Sequence, residues 1–127
     1  MYKELVICIV IIVSIFSLDM FTQGYTNRSV EEISKKIEEL EQNITTEDKE
    51  TIDDQLNNIN HRWEMMHKKL AYYIEHNEIE KVDTAFVNME SYIKSEEYAS
   101  AKAQLEEGKF ILKHIKQKYS FNLQNIF

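Results

Sequence analysis

Hydrophobic residues follow two different patterns along this chain. Residues 5–18, LVICIVIIVSIFSL, are fourteen positions without a charge, flanked by Lys3 and Glu4 on one side and Asp19 on the other. From Val30 onward apolar residues instead recur every three or four positions, the period of a helix with one buried stripe. At about 1.5 Å per residue the uncharged run covers roughly 21 Å. Residues 2–21 reach about 30 Å, the thickness of a bilayer's hydrocarbon core. The first pattern predicts a membrane-spanning helix over residues 1–21, and the second predicts a bundle.

The stripes divide the remainder. Ser29 with Glu32 has the spacing of a capping box, which places a helix start there and leaves residues 22–28 as a juxtamembrane linker before a bundle domain over 29–127. Val30, Ile33, Ile37, Leu40 and Ile44 form the first stripe, with Glu31/Lys35 and Glu32/Lys36 as supporting pairs. This first body helix is also able to extend the anchor as a stalk. The phase is lost over residues 43–46, since continuing it would bury Glu47 or Asp48, so a break belongs there. The longest stripe follows: Ile52, Leu56, Ile59, Trp63, Met66, Leu70 and Tyr73, broadened by Ala71 and Ile74. Its width favours packing inside a bundle over a two-stranded seam.

Residues 75–78 interrupt the apolar pattern, and Asn77 with Glu80 repeats the capping-box spacing, which predicts a tight turn between antiparallel helices. Ile79, Val82, Phe86, Met89 and Ile93 make the third stripe. A polar stretch with Ser95 as a cap precedes the fourth, which holds Tyr98, Ala101, Leu105, Gly108, Leu112, Ile115 and Tyr119. Tyr92, Tyr98, Ala101, Leu105 and Gly108 share several spacings with a tetratricopeptide helix pair but have no second copy, so they predict only a close hairpin. The fold class expected is all-α: an N-terminal transmembrane helix followed by an antiparallel bundle of three to four helices.

Three readings of the apolar run compete. A cleaved secretory signal needs a basic start and a small-x-small site, but Lys3 is offset by Glu4 and the nearest suitable pair, Thr22 and Gly24, lies past the run. A lipid-modified Cys8 would follow the bulky Ile7. An uncleaved signal-anchor fits best. Lysines and arginines are not clearly biased to either side of the span. The short segment before it is expected to stay in the cytoplasm, which puts the bundle outside the cell membrane.

Composition removes whole classes of chemistry. Proline is absent and there are two glycines, Gly24 and Gly108, too few for a phosphate cradle or a dinucleotide fingerprint. The one cysteine, Cys8, lies in the apolar run, so the bundle has neither a disulfide framework nor a cysteine zinc site. Of the net charge of -7, residues 31–54 account for all of it, with ten acids against three lysines. That acidity argues against nucleic acid as a partner and against lying along an anionic lipid surface. Residues 109–118 carry four lysines and no acid, read as complements to a helix C-terminus.

No catalytic residue, cofactor site or metal site is expected. Glu64 and His67 have the Glu-x-x-His spacing of di-iron bundles, yet no other histidine has a glutamate three residues before it. His76 and His114, with Glu75, Glu78 and Asp83, form a looser polar group that would serve as a ligand- or metal-responsive sensor, the alternative to an interaction role. Trp63, Tyr72, Tyr73, Tyr92, Tyr98 and Tyr119 supply core aromatics or a partner-binding face.

Trp63, the run Ile74-Glu75-His76-Asn77-Glu78-Ile79-Glu80-Lys81-Val82-Asp83, Ser91-Tyr92-Ile93-Lys94, His114-Ile115 and Asn125-Ile126-Phe127 together resemble domain of unknown function four-three-six-three. That family consists of small, N-terminally anchored proteins from low-GC spore-forming bacteria. The resemblance implies an anchored helical domain, sometimes encoded beside a larger integral membrane protein, and no reaction. The function expected is therefore a non-enzymatic interaction or accessory role, with an integral membrane protein or a second copy as partner. Its candidate contact residues are Trp63, Tyr72, Tyr73, His76, Glu78, Tyr92, His114, Asn125, Ile126 and Phe127. The last three end the chain on apolar residues, so that end is expected to be docked on the bundle or a partner.

Overall fold

The structure is a computed structural model that describes residues 1–46 and 48–124, with side chains described through Tyr119. Among these residues there are four helices and no strand: α1 (Tyr2–Asn43), α2 (Lys49–Leu70), α3 (His76–Lys94) and α4 (Tyr98–Gln124). α1 packs against α2 and α4, and α3 closes the ring against the same two helices. Short connections make each neighbour antiparallel, as in an up-and-down bundle. The all-α expectation holds, with four helices.

α1 is one helix of 42 residues, about 63 Å long, and it corrects the expected start at Ser29. No helix break falls over residues 22–28, and Ser29 is buried inside the helix at 1% exposure instead of capping it. The physical reason is that nothing there stops a helix: proline is absent, and Gly24 costs only about 1 kcal/mol relative to alanine. The first half of α1 is exposed from Leu5 to Phe21 apart from the half-buried Phe16 and Asp19, whereas Thr26, Val30, Ile33, Ile37 and Leu40 are buried. The first half is long and apolar enough to cross a membrane.

The four stripes meet in a single core. Ile33, Ile37, Leu40 and Ile44 face Ile59, Met66 and Leu70 of the α2 side, with Ile79 and Met89 from α3 and Leu105, Leu112 and Ile115 from α4, all under 2% exposed. Each such side chain contributes roughly 1.5–3 kcal/mol by leaving water. The hairpin of α3 and α4 is close because Gly108 has no side chain. A Cβ there would stand 2.9 Å from Cε1 of Phe86.

Three helix ends differ from the expectation, each for a local reason. α2 stops at Leu70, so Tyr73 lies in the corner over 71–75 and Ala71 is exposed, not on the buried face. α3 begins at His76 with Glu75 at the N-cap position and no side-chain cap bond, so Asn77 caps nothing. Ser95 ends α3 instead of starting α4, and its hydroxyl donates back to the Ser91 carbonyl. The chain then reverses through a Schellman turn, in which the Glu97 N–H donates to Tyr92 and the Glu96 N–H to Ile93. Glu96 takes the left-handed conformation, φ 60°, usually filled by glycine. The break expected over 43–46 is present, and Asp48 starts α2 by accepting the Thr51 N–H at 2.8 Å.

Candidate functional site

Polar side chains gather in three places, set by where the helices face one another. On the seam of α2 and α3, Trp63 is 5% exposed and its indole N–H donates to Asp83 Oδ1 at 2.6 Å. The other carboxylate oxygen of Asp83 lies 3.2 Å from His67 Nε2. The Trp63 ring meets Phe86 and His67 edge-on, with centroids 5.7 and 5.9 Å apart. Trp63 is thereby a core residue with its one donor satisfied. His67, whose spacing from Glu64 had a metal-site ring to it, is an outer partner of Asp83, and Glu64 is exposed.

The second group sits at the end of the bundle where α1 enters it. The Tyr73 and Thr26 hydroxyls are 2.6 Å apart, and both lie against the Thr22 carbonyl. Burial pushes the Tyr73 phenol above its ordinary value, against the opposing hydrogen bond from Thr26. Tyr73 and Tyr119 pack edge-on, and the Tyr119 hydroxyl accepts the Glu75 N–H at 2.9 Å. Gln23 donates to the Tyr119 carbonyl at 3.2 Å. Beside them Glu78 is buried, with Oε1 3.2 Å from Lys118 and 3.8 Å from His114. Lys118 also reaches Glu75 at 3.5 Å, and its hydrogen bond to Glu78 raises its pKa.

The expected polar group is therefore split. Glu75 and Glu78 come together on Lys118, and His114 approaches the same Glu78 oxygen. His76 is exposed and pairs with Glu80 at 2.8 Å, and Asp83 belongs to Trp63. No three of His, Cys, Asp and Glu are placed to hold a metal ion among the described residues. At the centre of this group stands an ammonium, which neutralises the carboxylates from within the protein.

The third group ties α1 to α4. Lys116 bonds Glu31 at 2.8 Å, and Lys109 lies 3.8 Å from Glu38 and from Glu41 and 2.9 Å from Glu106. Arg62 of α2 takes Glu32 at 2.8 Å. Two of the lysines read as dipole complements, Lys109 and Lys116, are thus cross-links to the acidic face of α1, a role invisible until the two helices are set side by side. Burial, then the facing Glu106, pushes the Glu41 carboxyl up to about 7. Glu106 is held low by the hydrogen bond from Glu41 and then by Lys109.

Among the aromatic candidates, Tyr72 is 90% exposed at the α2–α3 corner, while Tyr73, Tyr92, Tyr98 and Tyr119 are partly buried against the core. Asn125, Ile126 and Phe127 lie outside the described residues. Two surface residues that periodicity alone passed over are Val87 and Phe110, 66% and 72% exposed. Phe110 borders a shallow groove of about 750 Å³ between α3 and α4, with Thr84, Asn88, Gln104 and Ile111 along it. The signal for them was there: both are apolar positions off the buried stripe of their helices.

Comparison with curated proteins and with solved structures gave no match. A family model described as a domain of unknown function matches residues 20–126, taking in the whole bundle and starting where the exposed apolar half of α1 ends. By that match the chain belongs to the DUF4363 family.

Proposed function

We propose that this chain is a membrane-anchored, non-enzymatic accessory protein that holds an extracytoplasmic helical bundle beside an integral membrane partner or a second copy of itself. The observation that carries this reading is the continuity of α1. Its first half exposes Leu5, Val6, Ile7, Ile9, Val10, Ile11, Ile12, Val13 and Ile15 on every side, and its second half is a core helix of the bundle. An apolar surface of that extent is stable in hydrocarbon and not in water. The bundle is joined to it with no flexible segment between.

The non-enzymatic reading is supported by how the titratable groups are used. Asp83 orients Trp63, Glu78 meets Lys118, and the acids of α1 pair with Lys109, Lys116 and Arg62. Anchoring confines the bundle to the membrane plane, so a modest face suffices for association with another membrane protein. The groove beside Phe110 is the best candidate face.

Site-directed photo-crosslinking in native membranes tests this. A photoreactive residue in place of Phe110 is expected to give one discrete adduct, with a membrane protein or at twice the chain mass. The same residue in place of Glu39, on the acidic face, is expected to give none. Equal adducts from both positions, or none from Phe110, would overturn the proposal.

A further inference from the structure

The end of the bundle lies very close to where α1 would leave a bilayer. With residues 2–21 in the hydrocarbon, α1 is hydrogen-bonded to the rest of the bundle just past them, by the Thr22 carbonyl with Tyr73 and the Gln23 amide with the Tyr119 carbonyl. These lie about 2–3 Å past Phe21 along the helix, and Thr26 about 8 Å past it. The headgroup zone on each face of a bilayer is itself roughly 5–8 Å deep. The α2–α3 corner that carries Tyr73 is thus at headgroup depth.

That corner has the chemistry of a lipid interface. Tyr72 stands 90% exposed on it, and tyrosine is enriched at headgroup level because its ring is apolar and its hydroxyl polar. Lys68 and Lys69 precede it, and the Lys69 ammonium sits 4.9 Å from the centre of the Tyr25 ring. Beside the corner, Lys118 pairs with Glu75 and Glu78. The acidic excess begins at Glu31, about 15 Å past Phe21, and continues to the far end of the bundle, about 35 Å away.

α4 approaches the same plane from the other side of the corner. It runs antiparallel to α1, meets Gln23 at Tyr119, and continues as helix to Gln124, about 8 Å further toward the bilayer. The sequence of that extension, Ser120-Phe121-Asn122-Leu123-Gln124, holds two large apolar residues and no charge. Phe16 and Asp19 are the half-buried positions in an otherwise exposed stretch before Thr22. They lie three and four residues from one another and from Gln23, on the face by which α1 meets α4.

We propose that this end of the bundle is a lipid-contacting surface. Tyr72 and the corner that carries it lie in the boundary between headgroups and acyl chains beside α1, so the bundle is seated on the bilayer and not carried above it. The inference rests on the reading of α1 as a membrane anchor, and its test separates the two.

The full chain with Cys8→Ser is reconstituted in phosphatidylcholine vesicles and spin-labelled at single cysteines: Val10→Cys, Tyr72→Cys or Glu96→Cys. Collision with oxygen, which concentrates in lipid, is compared with collision with a water-soluble nickel chelate. The oxygen preference is expected to be highest at residue 10, intermediate at residue 72 and lowest at residue 96, with a several-fold gap between the last two. If residue 10 reports lipid while residue 72 matches residue 96, or is shielded from both reagents, the seating is wrong and the anchor stands. If residue 10 reports water, the anchor reading itself falls and takes the seating with it.

Discussion

The two ends of the bundle are closed by different means. At the end where α1 enters, side chains tie α1, α4 and the α2–α3 corner together: Tyr73 to Thr26, Gln23 to the Tyr119 carbonyl, and the Tyr119 hydroxyl to the Glu75 N–H. At the far end the closures are local: the Thr46 N–H bonds Asn43, Asp48 caps α2, and the chain at 95–97 makes the Schellman turn at Glu96. Local closures fix a turn and leave helix-to-helix geometry to the core. Bonds from a connecting segment to a distant helix fix where one helix leaves relative to the others, and these occur at the end from which the apolar half of α1 departs, while toward the far end α1 and α4 are held by Lys109 beside Glu38 and Glu41.

The largest test removes the near-end network. Tyr73→Ala deletes a half-buried ring, its edge contact with Tyr119 and its bonds to Thr26 and Thr22. It is expected to cost about 3 kcal/mol in urea unfolding of the detergent-solubilised chain. Tyr73→Phe, which keeps the ring, should cost about 1 kcal/mol. Amide exchange separates the ends: Tyr73→Ala should accelerate exchange over residues 22–28 more than over residues 40–46. Equal acceleration at both would mean that the near end has no special hold on α1.

A pH test probes the contact of α1 with α4 toward the far end. Glu41 faces Glu38, Glu106 and Lys109, and its folded pKa of about 7 lies above the ordinary 4.5. At Glu41 the folded state therefore binds more protons than the unfolded state between those values, and the contribution of this group to stability falls as pH rises through that window. Glu41→Gln imitates the protonated carboxyl. It should be about 1 kcal/mol more stable than the parent at pH 8 and nearly equal to it at pH 5, read as the urea midpoint at each pH. A parent and variant that move together between those pH values would show that Glu41 titrates normally.

Periodicity made the four helices legible because each carries a stripe that a soluble bundle must bury. Ile33, Ile59, Met89 and Leu112 were identified as core by spacing alone and are fully buried. Helix ends were less legible, since capping is a competition among neighbours. Ser29-x-x-Glu32 has the right spacing, but a cap forms only where the helix must begin, and the residues before Ser29 are helical too. The candidate site was legible in its residue types and not in its pairings. Glu78 and His114 do meet, but the ammonium of Lys118 between them, and the claim of Trp63 on Asp83, depend on contacts 20 to 40 residues apart. No local pattern encodes those.

The smallest effect is expected at the turn between α3 and α4, and it sharpens the contrast because it should not reach the near end at all. Glu96 holds φ 60°, where a side chain crowds the backbone at a cost of roughly 1–2 kcal/mol that glycine avoids. Glycine also has more freedom to lose on folding, which returns part of that gain. Glu96→Gly should therefore stabilise the chain by a few tenths to about 1 kcal/mol. The Glu97 N–H and Tyr92 carbonyl remain bonded at 2.8 Å in either case, so the turn keeps its shape. Thermal unfolding measures the gain, and exchange over residues 22–28 should slow only in proportion to global stability. A turn that gains nothing from glycine would mean that Glu96 is held there by something other than the backbone closure, and the far end would no longer be the purely local one.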